Sequence, residues 1–193
     1  RRHRARGRAT VTREHAVRRL IALLALAAAV GGCGGGSGPD RDAVPSDLEI
    51  RYRWNSGVSN VGPDYAAYAV SLEASGAGTI HFTVGHPSAD QDLWDERFAV
   101  GAADLLDLYS LLHDAGVFSE SWAAREPVPG SGGGSSLVVI ADEVTYRVPV
   151  DLADRDHSAS IAPVYESVRS LVPREIWEGF ETRREDHIDA DDH

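Results

Sequence analysis

The chain has one cysteine, no methionine and no lysine in 193 residues. One cysteine excludes an internal disulfide, so the fold must rest on its apolar core. No apolar run reaches the roughly 20 residues that a membrane-spanning helix needs. The longest, Leu20–Val30, has 11 residues. That length lies within the ~7–15 residues of a signal-peptide core. No Gly-x-Ser-x-Gly elbow is present, so the sequence offers no marked serine nucleophile.

The charge is divided unevenly. Residues 1–33 hold eight of the 19 basic residues and one of the 30 acids, Glu14. The remainder therefore carries 11 basic against 29 acidic residues, a formal charge of −18. Such a surface repels phosphate backbones, which argues against a nucleic-acid partner. It is also repelled by anionic headgroups, so membrane attachment would need another device.

The single cysteine supplies that device. Arg18 and Arg19 precede Leu20–Val30, and the order Val30-Gly31-Gly32-Cys33 follows. This arrangement resembles the lipobox of bacterial lipoproteins. The resemblance implies a diacylglyceryl group on Cys33, removal of residues 1–32, and a cell-envelope location held by the lipid. A lipidated Cys33 leaves no thiol for metal binding or catalysis. Residues 1–16 are Arg-rich and exceed what a signal peptide needs, and Val17 or Val11 is an expected start. A basic arm for nucleic acid is the competing reading of that segment.

Residues 33–47 are expected to be the lipidated cysteine and a flexible Gly/Ser/Pro/Asp linker. A single domain is expected over 48–182. Leu48, Ile50, Tyr52 and Trp54 alternate with Glu49, Arg51 and Arg53, the period of a strand with one buried face. Residues 66–74 and Thr79–Val84 repeat this pattern around Ser75-Gly76-Ala77-Gly78, a hairpin turn. Trp94, Glu96, Phe98 and Val100 mark a fourth strand.

Leu105, Leu108, Tyr109 and Leu112 form a stripe predicting a helix over 102–115, with Gly116 just past its end. Residues 120–136 read as a long loop. Leu137–Ile140 and Val144–Val150 read as a hairpin across Asp142-Glu143. A second helix is expected from an N-cap at Ser160 to Pro173. Ile176, Trp177 and Phe180 suggest a short last helix, and 183–193 an acidic, frayed tail. The expected class is α+β, an antiparallel sheet of five or six strands backed by two helices, plus the short C-terminal helix.

From Tyr65 to Pro173 this layout resembles the small emfourin-type inhibitors of thermolysin-like metalloproteases and certain bacterial envelope domains. The shared features are the Gly76/Gly78 hairpin, the helix ending in Ala115-Gly116-Val117-Phe118, the Tyr146 strand and a last helix after Pro163. These are packing features, and no functional residue is carried over from them.

Candidate chemistry is thin. His81 and His86, with Asp90 and Asp92, are weak candidates for a metal site; the bland reading is two solvated histidines. The tail from Asp186 to His193 offers oxygen and imidazole ligands without a recognisable loop spacing. Gly130–Ser136 lacks the Lys-Ser/Thr of a phosphate-cradling loop and reads as flexible. Tyr52, Trp54, Trp94, Trp122 and Trp177 are core or platform aromatics, and Trp122, in the long loop, is the exposed candidate for ligand contact. No catalytic residue and no cofactor is assigned. The leading expectation is a lipid-anchored envelope protein whose domain binds or scaffolds, with the membrane and an envelope protein as partners. The alternatives are an envelope protease inhibitor, acting through the 120–136 loop or a hairpin, and a metal-dependent hydrolase.

Overall fold

The computed structural model describes residues 38–57, 65–84, 92–126 and 133–191, with side chains described as far as residue 188. All of them lie in the compact unit Gly38–His193. Six strands occur: β1 (Glu49–Ser56), β2 (Ala66–Glu73), β3 (Ala77–Val84), β4 (Asp92–Ala99), β5 (Gly133–Ala141) and β6 (Val144–Val148). Among the described residues three helices accompany them: α1 (Ala102–Asp114), α2 (Arg155–Leu171) and α3 (Arg174–Asp191). The strands form one sheet in the order β4-β3-β2-β1-β5-β6, antiparallel at every pairing. The fold is α+β, as the alternation predicts.

The two faces of the sheet differ as the period-2 pattern requires. Ile50, Tyr52, Val70, Leu72, Ile80, Phe82, Leu137 and Val139 are buried in one core. The helices add Leu105, Leu108, Leu112, Ile161, Val164, Val168 and Phe180 to the same core. Burying one such side chain contributes about 1.5–3 kcal/mol relative to exposure. The residues between them, Arg51, Arg53, His81, Asp95 and Arg97 among them, are on the other face.

Three turns carry the register. Gly76 sits at φ +81°, and a Cβ there would lie 2.4 Å from the Val100 carbonyl oxygen. Gly116 ends α1 at φ +78°, with Val117 N–H donating to Leu112 O at 3.0 Å. At the β5–β6 hairpin, Asp142 and Glu143 adopt φ of 50° and 64°. That is the turn type that two-residue hairpins favour, here without a glycine. The Asp47 carboxylate compensates by accepting from Asp142 N–H at 3.0 Å and Glu143 N–H at 2.7 Å.

Five expectations need correction. The linker is not free to residue 47: Pro39 is buried, the Tyr109 hydroxyl donates to Asp40 O at 2.9 Å, and Arg41 pairs with Asp114 at 2.5 Å. The 120–136 segment is not one loop. Ala124 bridges Leu152, and Gly133–Ser136 are paired to β1 opposite Arg53–Ser56. The glycine run is therefore partly strand, because backbone pairing does not need a side chain.

The second helix begins at Arg155 and not at Ser160. Asp154 is its N-cap, accepting from Asp156 N–H at 2.8 Å. Its first turns are exposed, so an apolar stripe does not reveal them. Pro163 stands inside the helix on its exposed side, where the carbonyl it leaves unpaired meets water. Finally, the last helix is not short, nor is the segment from Arg183 frayed. α3 has 18 residues and runs to Asp191. Arg184, His187 and Ile188, all partly buried, continue the inward stripe of Trp177 and Phe180.

Candidate functional site

The inward row of β1 runs through Ile50, Tyr52 and Trp54 and ends on the small Ser56. A cavity of about 280 Å³ opens there. Trp54 and Ser56 of β1, Ala66 and Tyr68 of β2 and Phe82 of β3 line the sheet side. Arg169 of α2 and Trp177, Glu181 and Arg184 of α3 line the helix side. The α3 residues fall at i, i+4 and i+7, so one helical face presents all three.

The walls are aromatic. Trp54 stacks on Tyr68 with ring centres 5.1 Å apart and planes 25° from parallel. Trp177 meets Tyr68 edge-on at 5.0 Å and 78°. The Trp177 indole N–H donates to Arg169 O at 3.3 Å, fixing the ring against the end of α2. Behind this wall, Tyr52 hydrogen-bonds Ser135 Oγ at 2.9 Å and packs on Tyr165 at 5.2 Å. The Tyr165 hydroxyl is buried with no hydrogen-bond partner. Burial, and next the neighbouring Tyr52, push the Tyr68 phenol far above its ordinary range, so it is neutral at every physiological pH.

The charged groups are loosely held. Arg184 Nη1 is 3.6 Å from Glu181, and Arg169 Nη1 is 3.8 Å from Glu166. Both distances exceed hydrogen-bond range. The Arg184 Nε is buried and has no hydrogen-bond partner. Two guanidiniums and one carboxylate line the cavity, and Glu166 stands beside Arg169, so each arginine has one carboxylate within 4 Å.

The expected site residues fall elsewhere. His81 is on the open face of the sheet, its Nδ1 2.6 Å from Asp95 Oδ1 across the β3–β4 pair. His86 and Asp90 lie outside the described residues, as does Cys33. Among the described residues no group of three metal-ligating side chains occurs. Trp122 is not the exposed aromatic that its loop position suggests. It is half-buried against the core and lies 4.8 Å from the His157 ring. Trp54 and Trp177 form the aromatic platform instead. No family model and no curated protein matches the chain. Among the described residues no helix is long and apolar enough to cross a membrane.

Proposed function

We propose that the chain is a lipid-anchored cell-envelope protein whose domain works by binding a ligand and not by catalysis. The observation that carries the binding part is the 280 Å³ cavity walled by Trp54, Tyr68 and Trp177. The lining mixes these rings with Arg169, Glu181 and Arg184, and its exposed surface is more polar than apolar. The anchoring part rests on the order of Arg18-Arg19, the apolar run and Gly31-Gly32-Cys33.

Each part has its own test. Metabolic acyl labelling of the full chain is expected to disappear in Cys33→Ala; unchanged labelling would remove the anchor. A small-molecule collection screened by thermal shift on the full chain is expected to yield compounds that raise the melting temperature. Their effect should be lost in Trp177→Leu. Hits that all survive this substitution would remove the cavity as the binding site.

A further inference from the structure

We infer that the cavity selects small organic anions, specifically a carboxylate on a flat apolar body. The inference deepens the binding reading above by assigning the chemistry of its ligand.

Size sets the first limit. At about 280 Å³ the cavity is just smaller than most ligand sites, which run from about 300 to 1,000 Å³. One ring with a short substituent fits that space, whereas a peptide or a nucleotide does not.

The walls set the second. Trp54 and Tyr68 stack to form a flat face, and Trp177 closes it edge-on. A planar ring gains most from such surroundings, through offset stacking and edge contacts.

Charge sets the third. Neither the Arg169 nor the Arg184 guanidinium makes a hydrogen bond to another described residue, and the carboxylates nearest them stand off at 3.8 and 3.6 Å. Arg184 is the more covered of the two, and its Nε has no partner. The ion pairs to Glu166 and Glu181 are too long for hydrogen bonds, so a ligand carboxylate that meets the planar guanidinium fork in bidentate geometry would be the better partner. Glu181 on the same wall repels a second negative charge, which favours a monoanion over a dianion. Two arginines converge here out of only 11 basic residues after Cys33.

The test compares benzoate, benzamide and inorganic phosphate on the full chain in detergent. The readout is the ¹H–¹⁵N indole resonances of the four tryptophans. Benzoate is expected to shift Trp54 and Trp177 and to leave Trp122 in place. Benzamide should bind at least tenfold more weakly, and phosphate should shift neither indole. Equal binding of benzoate and benzamide overturns the charge assignment, and phosphate binding as tight as benzoate overturns the planar body. Absence of any benzoate shift at Trp54 and Trp177 overturns both. Arg169→Gln and Arg184→Gln are each expected to weaken benzoate at least fivefold, while Arg97→Gln, on the open sheet face, leaves it unchanged. The wild-type comparison stands even where a variant fails to fold. A neutral compound that stabilises the protein through Trp177 would keep the binding reading and overturn only this one.

Discussion

The guanidinium of Arg183 on α3 lies 2.9 Å from the carboxylate of Glu96 on the edge strand β4. The pair ties the last helix to the edge of the sheet across 87 residues of sequence. Both side chains are about two-fifths exposed, at 45% and 38%. Exposed ion pairs contribute little, so a double-mutant cycle of Arg183→Ala and Glu96→Ala should give a coupling of about 0.2–1 kcal/mol. Truncation after Thr182 should lower the melting temperature well beyond either single change. It also removes Arg184, His187 and Ile188, which face inward.

Phe180 shows where α3 is held. It is 1% exposed and stacks on Phe82 with ring centres 4.9 Å apart. Phe180→Ala should cost about 3–5 kcal/mol in urea unfolding. A loss under about 1 kcal/mol would mean that α3 contributes little to the folded state.

Gly76→Ala tests the first hairpin. The substitution meets a positive φ and a backbone oxygen 2.4 Å away, neither of which can yield cheaply. A cost of about 1–3 kcal/mol is expected for a non-glycine residue held in that region. Gly179, where an added Cβ meets nothing within 4 Å, is the matched control in α3. Gly179→Ala should be neutral or stabilising in the same urea titration.

His113 sets a pH dependence. Its ring packs edge-on against Tyr109 and tilts on Phe118, and its Nε2 is buried without a partner. Burial first, and then the Arg41 charge, hold its pKa below the ordinary 6.5, against the opposing pull of Asp114 and Asp40. The unfolded chain therefore takes up a proton before the folded one does. Stability is complete above about pH 6.5 and falls as the pH drops below it. His113→Phe should flatten the melting temperature between about pH 5 and 7, where wild type declines.

Asp47 acts in a lower window. Its pKa is lowered from 3.8, chiefly by the amide of Glu143. A carboxyl group with a depressed folded pKa stabilises above its unfolded value and loses that effect as the pH falls through the folded one. Asp47→Ala should lower the melting temperature at neutral pH and remove part of the acid sensitivity below about pH 4.

The sheet was legible because each strand buries one face, and a period of two survives in the residues Leu48 to Trp54 and Thr79 to Val84. Three other features were hidden for physical reasons. Gly133–Ser136 carry almost no side chain, so their pairing to β1 leaves no hydrophobic signature. The first turns of α2 are exposed apart from His157, which packs on Trp122, and only Asp154 marks their start. The continuation of α3 uses Arg184 and His187 as inward residues, and charged side chains on an inward stripe do not register as apolar. That last omission also concealed the cavity. Trp177, Glu181 and Arg184 share a helix face only when the helix passes residue 182. Trp54 was visible as part of an inward row, but nothing in one row shows that its neighbours stop short of filling the space beside it.

The docking of residues 38–47 onto α1 and the β5–β6 turn changes the mechanics of the proposed anchor. Asp40 is held by Tyr109 and Arg41 by Asp114, so the leash ends near Gly38. Five peptide steps from Cys33 reach at most about 18 Å when stretched. The whole 33–47 span would have given some 50 Å by the same measure. Pulling on a lipid at Cys33 would load the Tyr109 and Asp114 contacts before it loaded the sheet.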